Sequence, residues 1–377
     1  MKFVLENKLL ICVGAGGVGK TSMAAAIGLH AAIQGKKVLV LTIDPARRLA
    51  NSLGLNQFGN EETQIDISSQ NPNGGELWAM MLDGKKAFHD LINRIAKDEK
   101  HRDTILSNNI YKSIADTIVG NQEYMATEKL YDVVSSDRYE LVILDTPPVK
   151  NALDFLDSPG RMARFVDKRI MKWFLEPAEK SNIFSKVVNT ASSALFRLLG
   201  YVFGEEFLND IAVFFYNFRD LYEGFQDRHQ AVEKIFRAET TSFIIVAAPN
   251  IPAMEVAHFF LDELRKRKLR NPVSIINQRH FTVSKKLDVI ESLKAVSDEN
   301  SDDLEPHVVQ SLLARLGAAH RRLQLLSKLE EKLVMKLQND LDEDQLIFSV
   351  PRIHGEVHDL VALNNVGNLL FNTTNTQ

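Results

Sequence analysis

The stretch Gly14-Ala15-Gly16-Gly17-Val18-Gly19-Lys20-Thr21-Ser22 fits two phosphate-binding patterns that belong to different proteins. Read as G-x-G-x-x-G, Gly14, Gly16 and Gly19 make the dinucleotide turn of a Rossmann fold; read as G-x-x-x-x-G-K-[ST], Gly14, Gly19, Lys20 and Thr21 make a P-loop. A dinucleotide turn has no use for Lys20-Thr21, whereas a P-loop needs both. Its backbone N–H groups wrap the phosphates, the lysine reaches the β and γ oxygens, and the threonine hydroxyl ligates Mg²⁺. The flanks agree. Leu9 to Val13 reads as a short apolar strand, and Thr21 to Gln34 as an alanine-rich helix stopping at Gly35, which sets the phosphates at the positive end of that helix.

Further apolar, β-branched runs recur at Val38 to Ile43, Leu77 to Leu82, Leu141 to Leu144, Ser242 to Ala247, Val273 to Ile276 and Gln345 to Val350, with helical stretches between them. This alternation predicts an α/β fold, a doubly wound and mostly parallel sheet of the P-loop NTPase kind, with residues 1–377 as one ATPase domain. Three intervals, 84–138, 154–238 and 281–343, are much longer than a crossover requires and read as helical insertions that form a helical subdomain. The middle one holds 12 of the 21 phenylalanines, among them Phe203, Phe207, Phe214, Phe215 and Phe218, beside Trp173, Leu198 and Leu199. Such density suits the core of a helical subdomain; a groove for apolar polypeptide and a dimer contact are the other readings. The third holds an acidic loop, Asp298 to Glu305, and an amphipathic helix with Leu316, Leu323, Leu326, Leu333 and Leu337, expected to pack within the chain.

Composition narrows the function. With 45% hydrophobic and 25% charged residues and a net charge of −4, the chain reads as an ordinary globular protein and not as a nucleic-acid binder, which needs a basic surface. Met1 to Lys8 leads into the first strand with no room for a signal peptide, and no apolar run approaches a membrane span, so a cytoplasmic location is expected. The single cysteine, Cys12, sits in that strand and is expected to be buried; alone it makes no disulfide within the chain and no thiolate zinc site. His354 and His358 have metal-ligand spacing, but Glu356 is misplaced for a zinc hydrolase and Gly355 weakens the helix.

Candidate catalytic residues lie where strands end. The second strand runs into Thr42-Ile43-Asp44-Pro45-Ala46-Arg47-Arg48, placing Asp44 at the carboxyl edge of the sheet, where a carboxylate orients an attacking water; the plainer role is a helix cap. Arg47 and Arg48 either offset transition-state charge or stay solvated or paired. Tyr139 to Leu144 followed by Asp145-Thr146-Pro147-Pro148 is an apolar strand ending in an acid, with Asp145 placed to hold Mg²⁺ through water. Val149 to Asp157 follows as a natural switch. After Ile275-Ile276 comes Asn277-Gln278-Arg279 with no Lys-x-Asp guanine signature in register, which favours ATP over GTP.

These residues resemble the ArsA-type ATPases, a family that includes arsenite-pump ATPases and cytosolic ATPases that target tail-anchored membrane proteins. The resemblance covers nearly the whole chain and rests on the glycine-rich loop Gly14, Ala15, Gly16, Gly17, Val18, Gly19, Lys20, Thr21 and Ser22, on Asp44-Pro45-Ala46, on Asp145-Thr146-Pro147-Pro148, on Glu255 after Pro252, on Asn277-Gln278 and on Val350-Pro351. It implies a nucleotide-sandwich homodimer, Asp44 as the water-activating residue, Asn277 and Pro351 on the adenine side, and Glu255 approaching nucleotide from across the dimer. The departures are as informative. Where the family carries a signature lysine that crosses the dimer, this chain has Ala15; the Cys-x-x-Cys that joins targeting-factor dimers through zinc is absent; and the second switch reads Val149-Lys150-Asn151 where better-known members carry Thr-Gly-His. Lys150 either replaces the missing charge or stays in solvent. The expected activity is Mg²⁺-dependent hydrolysis of ATP to ADP and phosphate. Three cellular roles compete: handling of apolar membrane-protein helices, energising a membrane partner, and partitioning or positioning. A nucleotide-binding regulatory protein with little turnover is the remaining alternative.

Overall fold

The computed structural model describes residues 2–43, 48–53, 61–71, 73–96, 98–108, 122–147, 155–157, 201, 227–228, 230–281, 306–353, 355, 357 and 359–372. Eight strands form one sheet in the order β3-β4-β2-β5-β1-β6-β7-β8: β1 Leu9–Gly14, β2 Lys37–Thr42, β3 Thr63–Ile65, β4 Glu76–Met81, β5 Leu141–Asp145, β6 Thr241–Ala247, β7 Val273–Arg279 and β8 Leu346–Pro351. Every pairing is parallel except β3 with β4. The seven apolar runs of the sequence are the seven parallel strands, displaced at their ends by at most three residues, the most at β7. Strand β3, Thr-Gln-Ile, escapes a hydrophobicity reading because it is a short antiparallel edge with one buried side chain.

Period-two alternation divides the core between the faces of the sheet. Leu9, Ile11 and Val13 of β1 enter one layer and Leu10 and Cys12 the other. The second layer is built from α1 Lys2–Glu6, α2 Lys20–Ile33 and α9 Leu360–Asn372, with α1 a short helix where the sequence suggests only a lead-in; its Phe3 ring lies 6.0 Å from that of Phe348. Helix α2 ends at Ile33 with Gln34 as its C-cap, and Gly35 follows at φ +98°, so the chain turns where a left-handed residue stops the helix. Short α3, Arg48–Ser52, follows β2.

The first layer holds α4 Gly84–Ile95, α5 Glu99–Ser107, α6 Gln122–Ser135, α7 Ile251–Arg267 and the last part of α8 Pro306–Asn339. Within the interval 84–138, Ile92, Ile105, Met125 and Leu130 are buried in the core of the sheet itself. Of the interval 281–343, the course of α8 is described, without the side chains of Pro306, Val309 and Leu313. It docks through Leu333, Val334 and Leu337, while Leu312, Leu316, Leu323 and Leu326 are exposed, so among the described residues packing within the chain reaches the C-terminal part of the predicted apolar stripe. The phenylalanine-rich stretch 202–226, with Trp173, Leu198 and Leu199, and the acidic loop 298–305 lie outside the described residues. The two ends of the middle interval are anchored. Phe155 packs 5.4 Å from Phe236, Asp157 accepts two hydrogen bonds from Arg267 at 2.6 and 3.1 Å, and Arg228 binds Glu128 of α6 at 2.5 Å. Among the described residues no helix is long and apolar enough to cross a membrane.

Candidate functional site

Strand β1 lies in the middle of the sheet, hydrogen-bonded to β5 and β6, and hands the chain to residues 14–19 at the carboxyl edge. Two glycines are dictated by close approach. A Cβ at Gly14 would stand 2.0 Å from the Val246 carbonyl oxygen; one at Gly19, where φ is +91°, would stand 2.3 Å from Asn277 Nδ2. Val18 is buried, and its carbonyl accepts a 2.9 Å hydrogen bond from that same Asn277 amide, while the Gln278 amide donates to the Gly17 carbonyl at 3.3 Å. The loop is thus braced from β7 while Gly16 and Gly17 stay exposed.

Helix α2 begins at Lys20, so Lys20, Thr21 and Ser22 occupy its first turn. Lys20 is buried, and its Nζ donates to the Ala15 carbonyl at 2.8 Å, which holds the ammonium over the loop. Ala15 packs its methyl group against the second core layer. Thr21 Oγ1 donates to Asp145 Oδ2 at 2.7 Å, and Thr42 Oγ1 donates to the same oxygen at 2.9 Å. This meeting follows from sheet register: Cys12 and Thr42 are both partners of Asp145 across parallel ladders. Thr146 Oγ1 then donates to the Cys12 carbonyl at 2.7 Å, so the chain leaving β5 is tied back to β1. Burial, and after it the Asp145 carboxylate, push the Cys12 thiol well above its usual range; the cysteine is an inert core residue, as its strand position suggests.

The oxygen set is hard: one carboxylate and a threonine hydroxyl side by side at the end of a phosphate loop. That suits Mg²⁺, which takes one or two protein oxygens and keeps waters and substrate phosphates for the rest. The phosphate loop fits an anion on the same grounds, with a helix N-terminus and a buried ammonium converging.

Glu255 and Pro351 fall at the same edge without converging on the loop in the described contacts. Glu255 is exposed near the start of α7, which Asn250 caps by accepting from Ala253 N at 3.0 Å. Pro351 closes β8 opposite Arg279. Asp44, with Pro45, Ala46 and Arg47, lies outside the described residues, as do Pro148, Lys150, His354 and His358; the side chain of Arg48 is also outside them. The described chain reaches Ile43, whose N–H donates to the main-chain carbonyl of Asp145 at 3.2 Å. Thr42 is the site residue that motif reading passes over. Thr42 carried a usable signal, since two parallel strands ending at one edge bring their last residues into register.

The family profile of the anion-transporting ATPases, ArsA, matches residues 7–311. The chain belongs to the ArsA ATPase family. Its sequence is 25% identical over 272 residues to the ATPase get3 of Aspergillus terreus, covering 71% of this chain and 72% of that protein. The ATPase get3 of Pyrenophora tritici-repentis is 24% identical over 291 residues, 74% of this chain and 77% of its own length. A shorter match, 28% over 161 residues, joins 43% of the chain to the ATPase GET3 of Malassezia globosa. ArsA membership makes this chain an ATP-hydrolysing enzyme with an α/β P-loop fold.

Proposed function

We propose that the chain hydrolyses ATP to ADP and phosphate in a Mg²⁺-dependent reaction at the loop 14–22, and that nucleotide state switches its helical parts. The observation that carries this reading is the convergence of Thr21 and Thr42 on Asp145 beside the buried Lys20. Gly14 to Gly19 cradle the phosphates with backbone N–H groups, and Lys20 leaves the Ala15 carbonyl for β and γ oxygens. Mg²⁺, when bound through Thr21 and Asp145, neutralises charge on the β and γ phosphates. Asp44 accepts a hydrogen bond from the attacking water and holds it in line with the γ phosphorus. Asn277 and Pro351 flank the adenine. The chain works in the cytoplasm as a homodimer, in which Glu255 reaches the partner's nucleotide.

The partner class is an apolar helix of a membrane-protein client. The exposed Leu312, Leu316, Leu323 and Leu326 of α8 support it, since solvated leucines at one helical face are costly unless they are used. Ala15 favours a second reading, a nucleotide-binding regulator or partitioning protein with little turnover, because the charge that relatives place there is missing. Phosphate release measured with and without Mg²⁺, for the parent chain and for Asp44→Asn, decides between them. Mg²⁺-dependent release that collapses in Asp44→Asn is expected; equal rates for the two proteins would remove Asp44 from catalysis, and no release at all would favour the regulator.

A further inference from the structure

Helix α8 carries an apolar stripe at alternating spacings of four and three: Leu312, Leu316, Ala319, Leu323, Leu326, Glu330, Leu333 and Leu337. One member is a carboxylate. Glu330 is only 4% exposed, and a leucine there would continue the stripe onto the core. Burying a carboxylate is expensive unless it is hydrogen-bonded on all sides, so its presence in a seam needs a specific partner.

That partner is His280, which engages Glu330 twice. Its backbone N–H donates to Oε2 at 2.7 Å, and its Nδ1 lies 2.6 Å from Oε1. A carboxylate offers only lone pairs, so the imidazole proton belongs on Nδ1 and both contacts are charge-assisted. Both acceptor oxygens therefore grip a single residue of the opposite segment, and that residue is the first after β7.

The segment so gripped is the one that braces the phosphate loop. Between Ile276 and Arg279 the ladder with β8 slips register, and Gln278 adopts φ +62°, a left-handed conformation that a non-glycine residue keeps only when its surroundings fix it. On one side of this turn Asn277 and Gln278 hold Val18 and Gly17; on the other, Glu330 holds His280. Arg279 is fixed between them by a 2.9 Å hydrogen bond to Ser349 and by its guanidinium over the Phe281 ring.

We propose that Glu330 is a positioning residue for the ATPase reaction: from α8 it fixes the turn Asn277 to His280, and through Asn277 it fixes the phosphate loop at Val18. It touches no nucleotide. Its loss loosens the loop that binds ATP and leaves Lys20, Thr21 and Asp145 in place, so binding suffers and the chemical step does not. This inference rests on the reading that residues 277–278 flank the bound nucleotide.

The test uses the full-length chain with Glu330→Leu, which continues the apolar stripe, and Glu330→Gln, which keeps the volume but can accept with only one oxygen. Asn277→Ala is measured beside them. KM for ATP is the primary readout because it is independent of the fraction of active protein. We expect KM to rise about tenfold in Glu330→Leu, a change of ~1.4 kcal/mol, and less in Glu330→Gln, with kcat within about twofold of the parent, as loss of binding alone requires. Amide exchange of residues 277–281 should accelerate in both variants while α2 keeps its protection. KM unchanged in whichever Glu330 variant folds overturns the proposal. If Asn277→Ala raises KM in that case, only the link through Glu330 is wrong; if Asn277→Ala is silent too, the assignment of the turn to the nucleotide fails with it.

Discussion

Helices α2 and α8 both serve the site, from opposite faces of the sheet and by opposite means. Eleven of the 14 residues of α2 are buried, nearly all of them small or aliphatic, and Gly28 sits so close to β2 that a Cβ would stand 2.6 Å from Val40 Cγ2. Helix α8 is 34 residues long, and among its described side chains only Glu330, Val334 and Leu337 are fully buried. The first helix has no room to move, which keeps Lys20 and Thr21 fixed with respect to Asp145. The second is anchored at its C-terminal end, and most of its other described side chains are exposed. Close packing on both sides is thus the property of one helix and exposure that of the other.

The sharpest way to break this contrast is at its fixed end. Lys20→Ala should lower ATP turnover by roughly 10²- to 10³-fold, the usual scale for removing one preorganised donor to the transition state, with the melting temperature close to that of the parent. A small loss would mean that α2 does not deliver the phosphate-binding charge. Next in size, Gly28→Val forces side-chain atoms into the α2 and β2 contact and should destabilise the fold by about 1–3 kcal/mol in urea titration. A neutral result would show that α2 has slack.

A pH experiment probes the same helix. His30 stacks on Phe371 of α9 with centroids 4.4 Å apart, and burial lowers its pKa below the ordinary 6.5. A lowered folded value means that the unfolded chain takes up the proton first. Stability from this residue is therefore complete above 6.5 and lost as the pH falls through the folded value. Denaturant midpoints measured between neutral and mildly acidic pH should decline, and the decline should be shallower in His30→Gln; parallel curves would dissociate His30 from the α2 and α9 contact. The smallest effect is expected on the exposed part of α8. Leu316→Lys should change stability by no more than ~0.5 kcal/mol, as for an open surface site. A cost equal to that of Gly28→Val would show that the exposed stripe is covered after all.

Much of the fixed half was legible in the sequence, and for a physical reason. A phosphate loop needs glycines at set intervals, and parallel strands buried on both faces need unbroken apolar runs, so Gly14 to Thr21 and the seven parallel strands announce themselves locally. Asp145 was legible because an acid directly after such a run has few other uses. Residues that act across the sheet were not. Thr42 matters through its register with Asp145, and Glu330 through a residue 50 positions earlier; neither relation leaves a trace in local spacing. The stripe on α8 misled in a different way: helical periodicity records that one face is apolar, but not how far along the helix that face is covered. Nor does a hydrophobicity pattern mark β3, whose pairing depends on the edge offered by β4.

Cys12 has a practical consequence. It is the only thiol in 377 residues, is enclosed beneath the phosphate loop, and is held protonated by its surroundings, so alkylating dyes will pass it by. The protein is therefore its own cysteine-free background. A single cysteine introduced at exposed Leu325, and a second on the rigid side of the sheet, would carry a donor and acceptor dye pair without any prior removal of native residues. Whether α8 moves at all during one turnover could then be read by fluorescence, molecule by molecule.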